Sequence, residues 1–435
     1  LAEKMNRFNS LAQWLSWQES LHPLTIDLGL DRVKRVYETL LPKDHYQPIT
    51  LTVAGTNGKG SSVAYLEAFY IAEGHSVGAY TSPHILRYSE RIKINGIPVS
   101  DDVICAAFSQ IDHARGDTTL SYFEFSTLAS LLIFSQARVA IQILEVGLGG
   151  RLDAVNIVDA DVAIVTSIAI DHVEWLGKTR DKIGYEKAGI FRSNKPAIVG
   201  EQNPPQTLID HATHVKANLF RIGDVYNYSK NRQTWTWQST SYVIDNLPPP
   251  ALKGEHQYRN AASTIFATQC LKSHLTMRDE SIRAGLQNVK LAGRFQLIEG
   301  DIPILLDVGH NPQAVETLVL YLNENFPNTR IHAIFSMMKD KDIAGVLSLM
   351  KPMVSQWFFT PLTHNARAVT ESAMRVIFDE CQINTGHWGF SGFAQAFNAA
   401  KSTARVGDLI LVFGSFFLVS DCCINLKIGE IKHEH

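Results

Sequence analysis

A chain of 435 residues is long for one compact core and comfortable for two domains of ordinary size. Hydrophobic residues make up 45 % and charged residues 19 %, which excludes a largely disordered chain. Forty basic residues against 43 acidic ones leave a formal charge of −3 with no basic block, so the pattern speaks against a protein held to nucleic acid by its phosphates.

The longest apolar stretch runs from Leu128 to Phe134, far short of the ~20 residues that cross a bilayer. The opening residues, Leu1-Ala-Glu-Lys-Met5, carry no apolar signal core. Five cysteines (Cys105, Cys270, Cys381, Cys422, Cys423) are odd in number and match no zinc or redox spacing. Reduced thiols and a cytoplasmic protein are expected.

In chain order, Ile49 to Ala54 reads as a first strand, followed by a glycine turn and a helix over Ser61 to Glu73 with Gly74 as its stop. Further strands are expected at Val77 to Tyr80, Ala140 to Glu145 and Val162 to Ser167. Being apolar on both faces, they suit a parallel sheet covered on both sides. The stretch Asn203 to Leu252 is polar and aromatic, with alternation at Trp235-Thr-Trp237 and a closing Pro248-Pro-Pro250; it predicts a small antiparallel β insertion and a linker. Helices resume at Gln257 to Leu271 and Asp279 to Gln287. A second β/α series then supplies strands at Ile302 to Val308, Ile331 to Ser336, Gln356 to Thr360 and Leu409 to Phe413. The expected fold is α/β: a phosphate-loop domain over 1–291 with a mainly parallel sheet and small β insertion, then a Rossmann-like parallel domain over 292–435. A cleft between two such domains is the natural place for an active site.

The strongest local signal is Val53-Ala-Gly55-Thr56-Asn57-Gly58-Lys59-Gly60-Ser61-Ser62, which follows a strand and opens a helix. Glycines let backbone N–H groups point inward, Lys59 supplies positive charge and the helix N-terminus adds its dipole. A hydroxyl from Ser61 or Ser62 can reach magnesium. The loop departs from the general Walker pattern, since Val53 stands six before the lysine and Gly60 separates the lysine from the hydroxyl. An ordinary glycine turn is the plain alternative.

That departure resembles the Mur ligase superfamily, and the glycine after the lysine resembles its folylpolyglutamate synthase branch. Eight ordered blocks extend the resemblance to bacterial bifunctional dihydrofolate synthase/folylpolyglutamate synthases along nearly the whole chain. They are Thr25-Ile-Asp-Leu-Gly-Leu-Asp-Arg32, Thr81-Ser-Pro-His84, Tyr122-Phe-Glu-Phe125, Leu144-Glu-Val-Gly-Leu-Gly-Gly-Arg-Leu-Asp153, Asp171-His172, Glu186-Lys-Ala-Gly-Ile190, Gly293-Arg-Phe295 and Asp307-Val-Gly-His-Asn-Pro312.

Glu145 ends a strand before a glycine-rich turn, where a carboxylate suits magnesium or simply meets water. His172 by itself reads as a structural or solvated histidine, and Lys187 as a surface lysine. The resemblance implies that Glu145, His172, Ser61 and Ser82 hold magnesium near ATP, and that Lys187 is carbamylated into an anionic oxygen ligand. It also implies nucleotide contacts from Asn260, Arg294, Asp307 and His310, with Lys59, Lys187 and His310 catalytic. For the pterin acceptor it points to Leu28-Gly29-Leu30-Asp31, Ser121-Tyr122-Phe123-Glu124 and Leu152-Asp153-Ala154. Arg294 is expected in the interdomain linker, within reach of phosphates. Two positions depart from the family pattern: Gly309 where alanine is usual, a change expected to matter little, and Phe417, which puts a polar role at that place in doubt.

The activity so implied is ATP-dependent ligation of L-glutamate to dihydropteroate and to reduced folates through an acyl phosphate, by a monomer with small-molecule partners, no nucleic acid and no membrane. A phosphate-loop kinase or ATPase, a nucleotide-binding regulator and a cell-wall Mur ligase are the rivals. The pterin blocks and Gly60 speak against the last.

Overall fold

The computed structural model describes residues 7–24, 26–362 and 365–428. Thr25, the first residue of one family block, and Leu1 to Met5 lie outside them. The chain divides into two compact units. The first comprises residues up to His84, Tyr88–Ala251 and Tyr258–Val289; the second comprises Ile85–Arg87, Leu252–Gln257 and the residues from Lys290 on.

The first unit opens with helices α1 (Leu11–Leu21) and α2 (Asp31–Leu40), then β1 (Ile49–Ala54), α3 (Lys59–Glu73), β2 (Val77–Tyr80), β3 (Ile92–Ile94) and β4 (Ile97–Pro98). There follow α4 (Asp101–Arg115), α5 (Tyr122–Gln136), β5 (Ile141–Glu145), β6 (Val162–Val165), α6 (Val173–Leu176), α7 (Arg180–Ala188), β7 (Pro196–Val199), α8 (Gln206–His214) and β8 (Asn218–Arg221). A separate ribbon holds β9 (Tyr226–Lys230), β10 (Trp235–Ser239) and β11 (Val243–Leu247), ahead of α9 (His256–Cys270) and α10 (Asp279–Asn288). The main sheet has the order β4-β3-β2-β5-β1-β6-β7-β8, parallel from β2 to β8 and antiparallel at the β2–β3 and β3–β4 edge.

Its central strands are short and buried throughout, as expected for a sheet covered on both faces. Helix α5 is buried along almost its whole length and starts with a capping box between Ser121 and Glu124. Two of its buried hydroxyls are satisfied locally, Ser130 donating to the Thr127 carbonyl and Thr127 to that of Phe123.

Two expectations change here. The stretch 203–252 is not all insertion: α8 and β8 belong to the main sheet system, β8 pairing parallel with β7, and only β9 to β11 form the antiparallel ribbon. Leu208 and Ala212, four apart and buried, mark the helix that the polar composition hid. The helix after the phosphate loop begins at Lys59 rather than Ser61, because left-handed Gly58 ends the turn and Gly74, also left-handed, closes the helix.

The second unit contains β12 (Gln296–Ile298), β13 (Ile304–Asp307), α11 (Pro312–Asn325), β14 (Ile331–Phe335), α12 (Ile343–Met350), β15 (Val354–Phe359) and α13 (Glu371–Glu380). It ends with β16 (Gly386–His387), α14 (Phe393–Thr403), β17 (Leu409–Phe413) and α15 (Phe416–Asn425). The sheet order is β12-β13-β17-β14-β15-β16. It is parallel except at β12, which pairs antiparallel with β13. The expected all-parallel sheet therefore has one reversed edge strand: the link from Ile298 to Ile304 is too short for a crossover helix, so it makes a hairpin. Apolar clusters line both faces of this sheet, and Ile85 and Leu86 pack on one of them.

Candidate active site

The carboxyl ends of adjacent parallel strands collect the chemistry of the first unit. Val53 of β1 pairs with Glu145 at the end of β5, and Ala54 pairs with Val165 at the end of β6. Between these strand ends runs the phosphate loop. Gly55 has φ +155°, and a Cβ built there would stand 1.9 Å from Thr166 Oγ1. Gly58 has φ +88°, and its Cβ would stand 2.8 Å from Asn260 Oδ1. Both positions need glycine for conformation and for space. Asn260 is thereby set directly on the loop.

The loop is tied to the segment that follows β6. Thr56 N–H donates to the Ser167 carbonyl (2.8 Å), Asn57 N–H to Ser167 Oγ (3.0 Å), and Thr166 Oγ1–H to the Asn57 carbonyl (2.6 Å). Thr56 Oγ1 donates to the Ala169 carbonyl (3.2 Å) and accepts from Ala169 N–H (3.0 Å). The same segment continues into Asp171 and His172. Glu201 and Arg180 hold its base: Ile168 N–H donates to Glu201 Oε2 (3.0 Å) and Arg180 Nε to the Ile168 carbonyl (3.0 Å). Phosphate loop and His172 segment are thus one hydrogen-bonded body. Sequence reading missed Thr166, Ser167, Arg180 and Glu201, whose only signal was a pair of small hydroxyl residues just past a strand.

Lys59 Nζ donates to the carbonyls of Gly55 (3.0 Å) and Thr56 (3.3 Å), keeping its charge over the loop. Gly60 and Ser61 sit in the first turn of α3, where Ser61 and Ser62 are buried. Glu145 is buried, and its Oε2 accepts from Ser82 N–H (3.2 Å), which brings two expected magnesium ligands together. His172 caps α6 in a left-handed conformation, its N–H donating to Asp171 Oδ1 (2.8 Å). Among the described residues no group of three or more His, Cys, Asp and Glu side chains could hold a metal, so the expected set depends on serine and lysine as well.

Lys187, in the last turn of α7, is buried rather than a surface residue. Burial drives its pKa down to about 7, Lys59 pushes it the same way, and Asp171 and Asp153 oppose. Asp153 is buried too and holds the turn after Glu145, accepting from Leu148 N–H (2.8 Å) and Val155 N–H (3.0 Å). Its burial outweighs those hydrogen bonds and the Lys59 charge, raising its pKa to about 6. Ala154 opens the short helical turn that Asp153 caps, and half-buried Leu152 precedes it.

The other acceptor segments lie in the same unit. Leu30 caps α2, Asp31 is its first residue, and Leu28 and Gly29 form the approach. Tyr122 lies under the Arg91 guanidinium (5.4 Å to the ring centre), while Phe123 covers Gly147, where a Cβ would meet its ring at 2.6 Å. Ser121 and Glu124 spend side-chain groups on the capping box.

In the second unit, Asp307 ends β13. Its Oδ1 accepts from Gly309 N–H (2.8 Å) and its Oδ2 from Phe295 N–H (3.3 Å). Burial raises its pKa, against the pull of Arg294, these two N–H groups and His310. A Cβ at residue 309 would stand 2.6 Å from Asp307 Oδ1, the end of a side chain, so the glycine gives that carboxylate room to turn back onto its own loop. His310 Nδ1 donates to the Val308 carbonyl (2.9 Å), which fixes the orientation of the ring. Arg294 belongs to this unit rather than to a linker, and its guanidinium lies over the Phe416 ring (5.2 Å), which His310 also approaches (6.3 Å). Phe417, the departure from pattern, is 53 % exposed.

Two family models match the chain: the Mur ligase middle domain over residues 53–268 and the Mur ligase glutamate ligase domain over 293–416. The dihydrofolate synthase/folylpolyglutamate synthase of Escherichia coli strain K12 is 44 % identical over 413 residues, covering 94 % of each chain. The chain belongs to the dihydrofolate synthase/folylpolyglutamate synthase family. E. coli FolC solved with DHPP and ADP superposes with a TM-score of 0.90 at 43 % identity, over 96 % of this chain and 98 % of that one. A bifunctional folylpolyglutamate synthase/dihydrofolate synthase solved with Mn, AMPPNP and L-glutamate gives 0.89 at 41 %, over 98 % and 100 %. The five cysteines are free, and no helix among the described residues is long and apolar enough to cross a membrane.

Proposed function

We propose that the chain adds L-glutamate to dihydropteroate, forming dihydrofolate, and to reduced folates, forming folylpolyglutamates, with ATP activating the acceptor carboxylate as an acyl phosphate. The observation that carries this is the register of Val53 with Glu145, which sets a phosphate loop and a buried carboxylate on neighbouring strand ends. Identity to the E. coli enzyme across 94 % of the chain supports the choice of substrates.

A carboxylate does not condense with an amine directly, because the departing oxide is a poor leaving group. Transfer of the γ-phosphoryl group replaces it with phosphate. Backbone N–H groups in the first turn of α3, the Lys59 ammonium and the dipole of that helix receive the phosphate charge, and Asn260 borders the loop. From the second unit, Arg294 supplies a guanidinium, His310 an imidazole and Asp307 a carboxylate for the nucleotide. The glutamate amine then attacks the acyl carbon and expels phosphate. Residues 1–291 are on this account the ATP and pterin domain, and 292–435 the glutamate ligase domain.

Oxygen donors from Glu145, Ser61 and Ser82 suit a hard divalent cation, and His172 is the nitrogen donor of the proposed set. Bound magnesium would offset negative charge on the transferring phosphoryl group. An ammonium at residue 187 would oppose such a cation, whereas a buried amine with a pKa of about 7 is nucleophilic near neutral pH. Its nitrogen adds to carbon dioxide, a proton leaves, and the carbamate presents anionic oxygen. Leu28 to Asp31, Ser121 to Glu124 and Leu152 to Ala154 take the pterin acceptor, Phe123 offering a flat face.

Incubation with ATP, magnesium, L-glutamate and either dihydropteroate or a reduced folate tests the proposal. The expected product is heavier by one glutamyl unit, with one ADP formed per bond. ADP formation at full rate without glutamate would instead mark a kinase or ATPase.

A further inference from the structure

A polar chain joins two of the acceptor segments inside the first unit. Arg32, in the first turn of α2, donates through one Nη to Asp27 Oδ2. Its other Nη donates to the Asp27 carbonyl (3.2 Å) and to Glu124 Oε1 (3.0 Å). The second carboxylate oxygen of Glu124 accepts Ser121 N–H (2.7 Å). Behind Asp27, His22 Nε2 faces Oδ2 (3.0 Å) while Nδ1 meets Thr119 Oγ1 (2.9 Å). One planar fork therefore fixes the approach to Leu28–Asp31 and the start of α5 together.

We propose that Arg32 is a positioning residue for the folate acceptor. It acts through others: by bridging Asp27 to Glu124 it holds the Leu28–Asp31 segment at a set distance from Tyr122 and Phe123, so the flat ring of the acceptor enters a slot already formed. Charge-assisted forks give such geometric definition, and a preformed slot lowers the ordering cost of binding. Lysine cannot replace it fully, because a point ammonium cannot serve a side-chain carboxylate, a carbonyl and a second carboxylate in one plane. The inference rests on the assignment of these segments to the acceptor.

The test compares Arg32→Ala, Arg32→Lys and Asp27→Asn with Phe123→Ala, measuring KM for dihydropteroate, KM for ATP, kcat and melting temperature of the full chain. Arg32→Ala and Asp27→Asn are expected to raise KM for dihydropteroate roughly tenfold with KM for ATP within about twofold of wild type, Arg32→Lys falling between. Asp27→Asn keeps the shape of the side chain and decides the matter if Arg32→Ala does not fold. Equal loss in both KM values, or a fall in melting temperature with unchanged kinetics, would overturn the positioning role. So would an unchanged KM for dihydropteroate in both variants when Phe123→Ala raises it. If Phe123→Ala also leaves it unchanged, the acceptor assignment itself fails and this inference falls with it.

Discussion

Lys59 and Lys187 face one another electrostatically: after burial, the Lys59 ammonium is the largest influence holding the Lys187 pKa down at about 7. Burial and the neighbouring charge both favour the neutral amine. The phosphate loop thereby prepares the amine that, on our proposal, becomes a carbamate.

This has a pH signature. Unfolded, the lysine binds its proton up to about 10.5; folded, it releases it near 7. The unmodified chain therefore bears the full penalty of a buried ammonium below pH 7, and that penalty fades as pH rises to 10.5. Wild type should gain stability relative to Lys187→Met across that window in carbon dioxide-free buffer. With bicarbonate present the gap should flatten, and intact mass should rise by one carbon dioxide. A constant gap in both buffers would exclude a titrating amine.

Gly58 and Gly74 separate strain from contact. Both are left-handed, but only Gly58 has Asn260 against the space a Cβ would fill. Each alanine variant should lose about 1 kcal/mol of stability from backbone strain. Only Gly58→Ala should weaken ATP binding, by roughly tenfold or more, as read by calorimetry. Equal ATP affinities would deny the loop its role.

Gly309→Ala should displace the Asp307 carboxylate without unfolding the second unit, since the clash is with a side-chain end. KM for ATP is expected to rise about threefold to tenfold, at a stability cost within about 1 kcal/mol. An unchanged KM would show that Asp307 needs no such orientation.

Arg294→Ala should lower kcat roughly a hundredfold while the protein still folds; the guanidinium rests on the Phe416 ring. Phe416→Leu, which removes the ring beneath it, should lower kcat less. Turnover unchanged in Arg294→Ala would remove it from the mechanism.

Much of the architecture is legible in the amino-acid sequence alone, because strand-end motifs such as Gly55–Ser61 and Glu145 carry both a local conformation and a chemistry. The polar composition of 203–252 misleads, since α8 buries only Leu208 and Ala212, and β8 joins the main sheet with three half-buried residues and none fully buried. The reversed strand β12 follows from a loop length rather than from any strand motif. Burial of Lys187 is invisible too: nothing in Glu186-Lys187-Ala188 says that the last turn of α7 points inward. Nor does Gly309 declare that it makes room for a carboxylate two residues away.

The acyl phosphate is the claim on which the rest depends, and heavy-oxygen labelling of the dihydropteroate carboxylate tests it most directly. In a reaction with ATP, magnesium and L-glutamate, one labelled oxygen should appear in the released phosphate for each amide bond formed. Phosphate released without label, alongside normal dihydrofolate formation, would contradict the account.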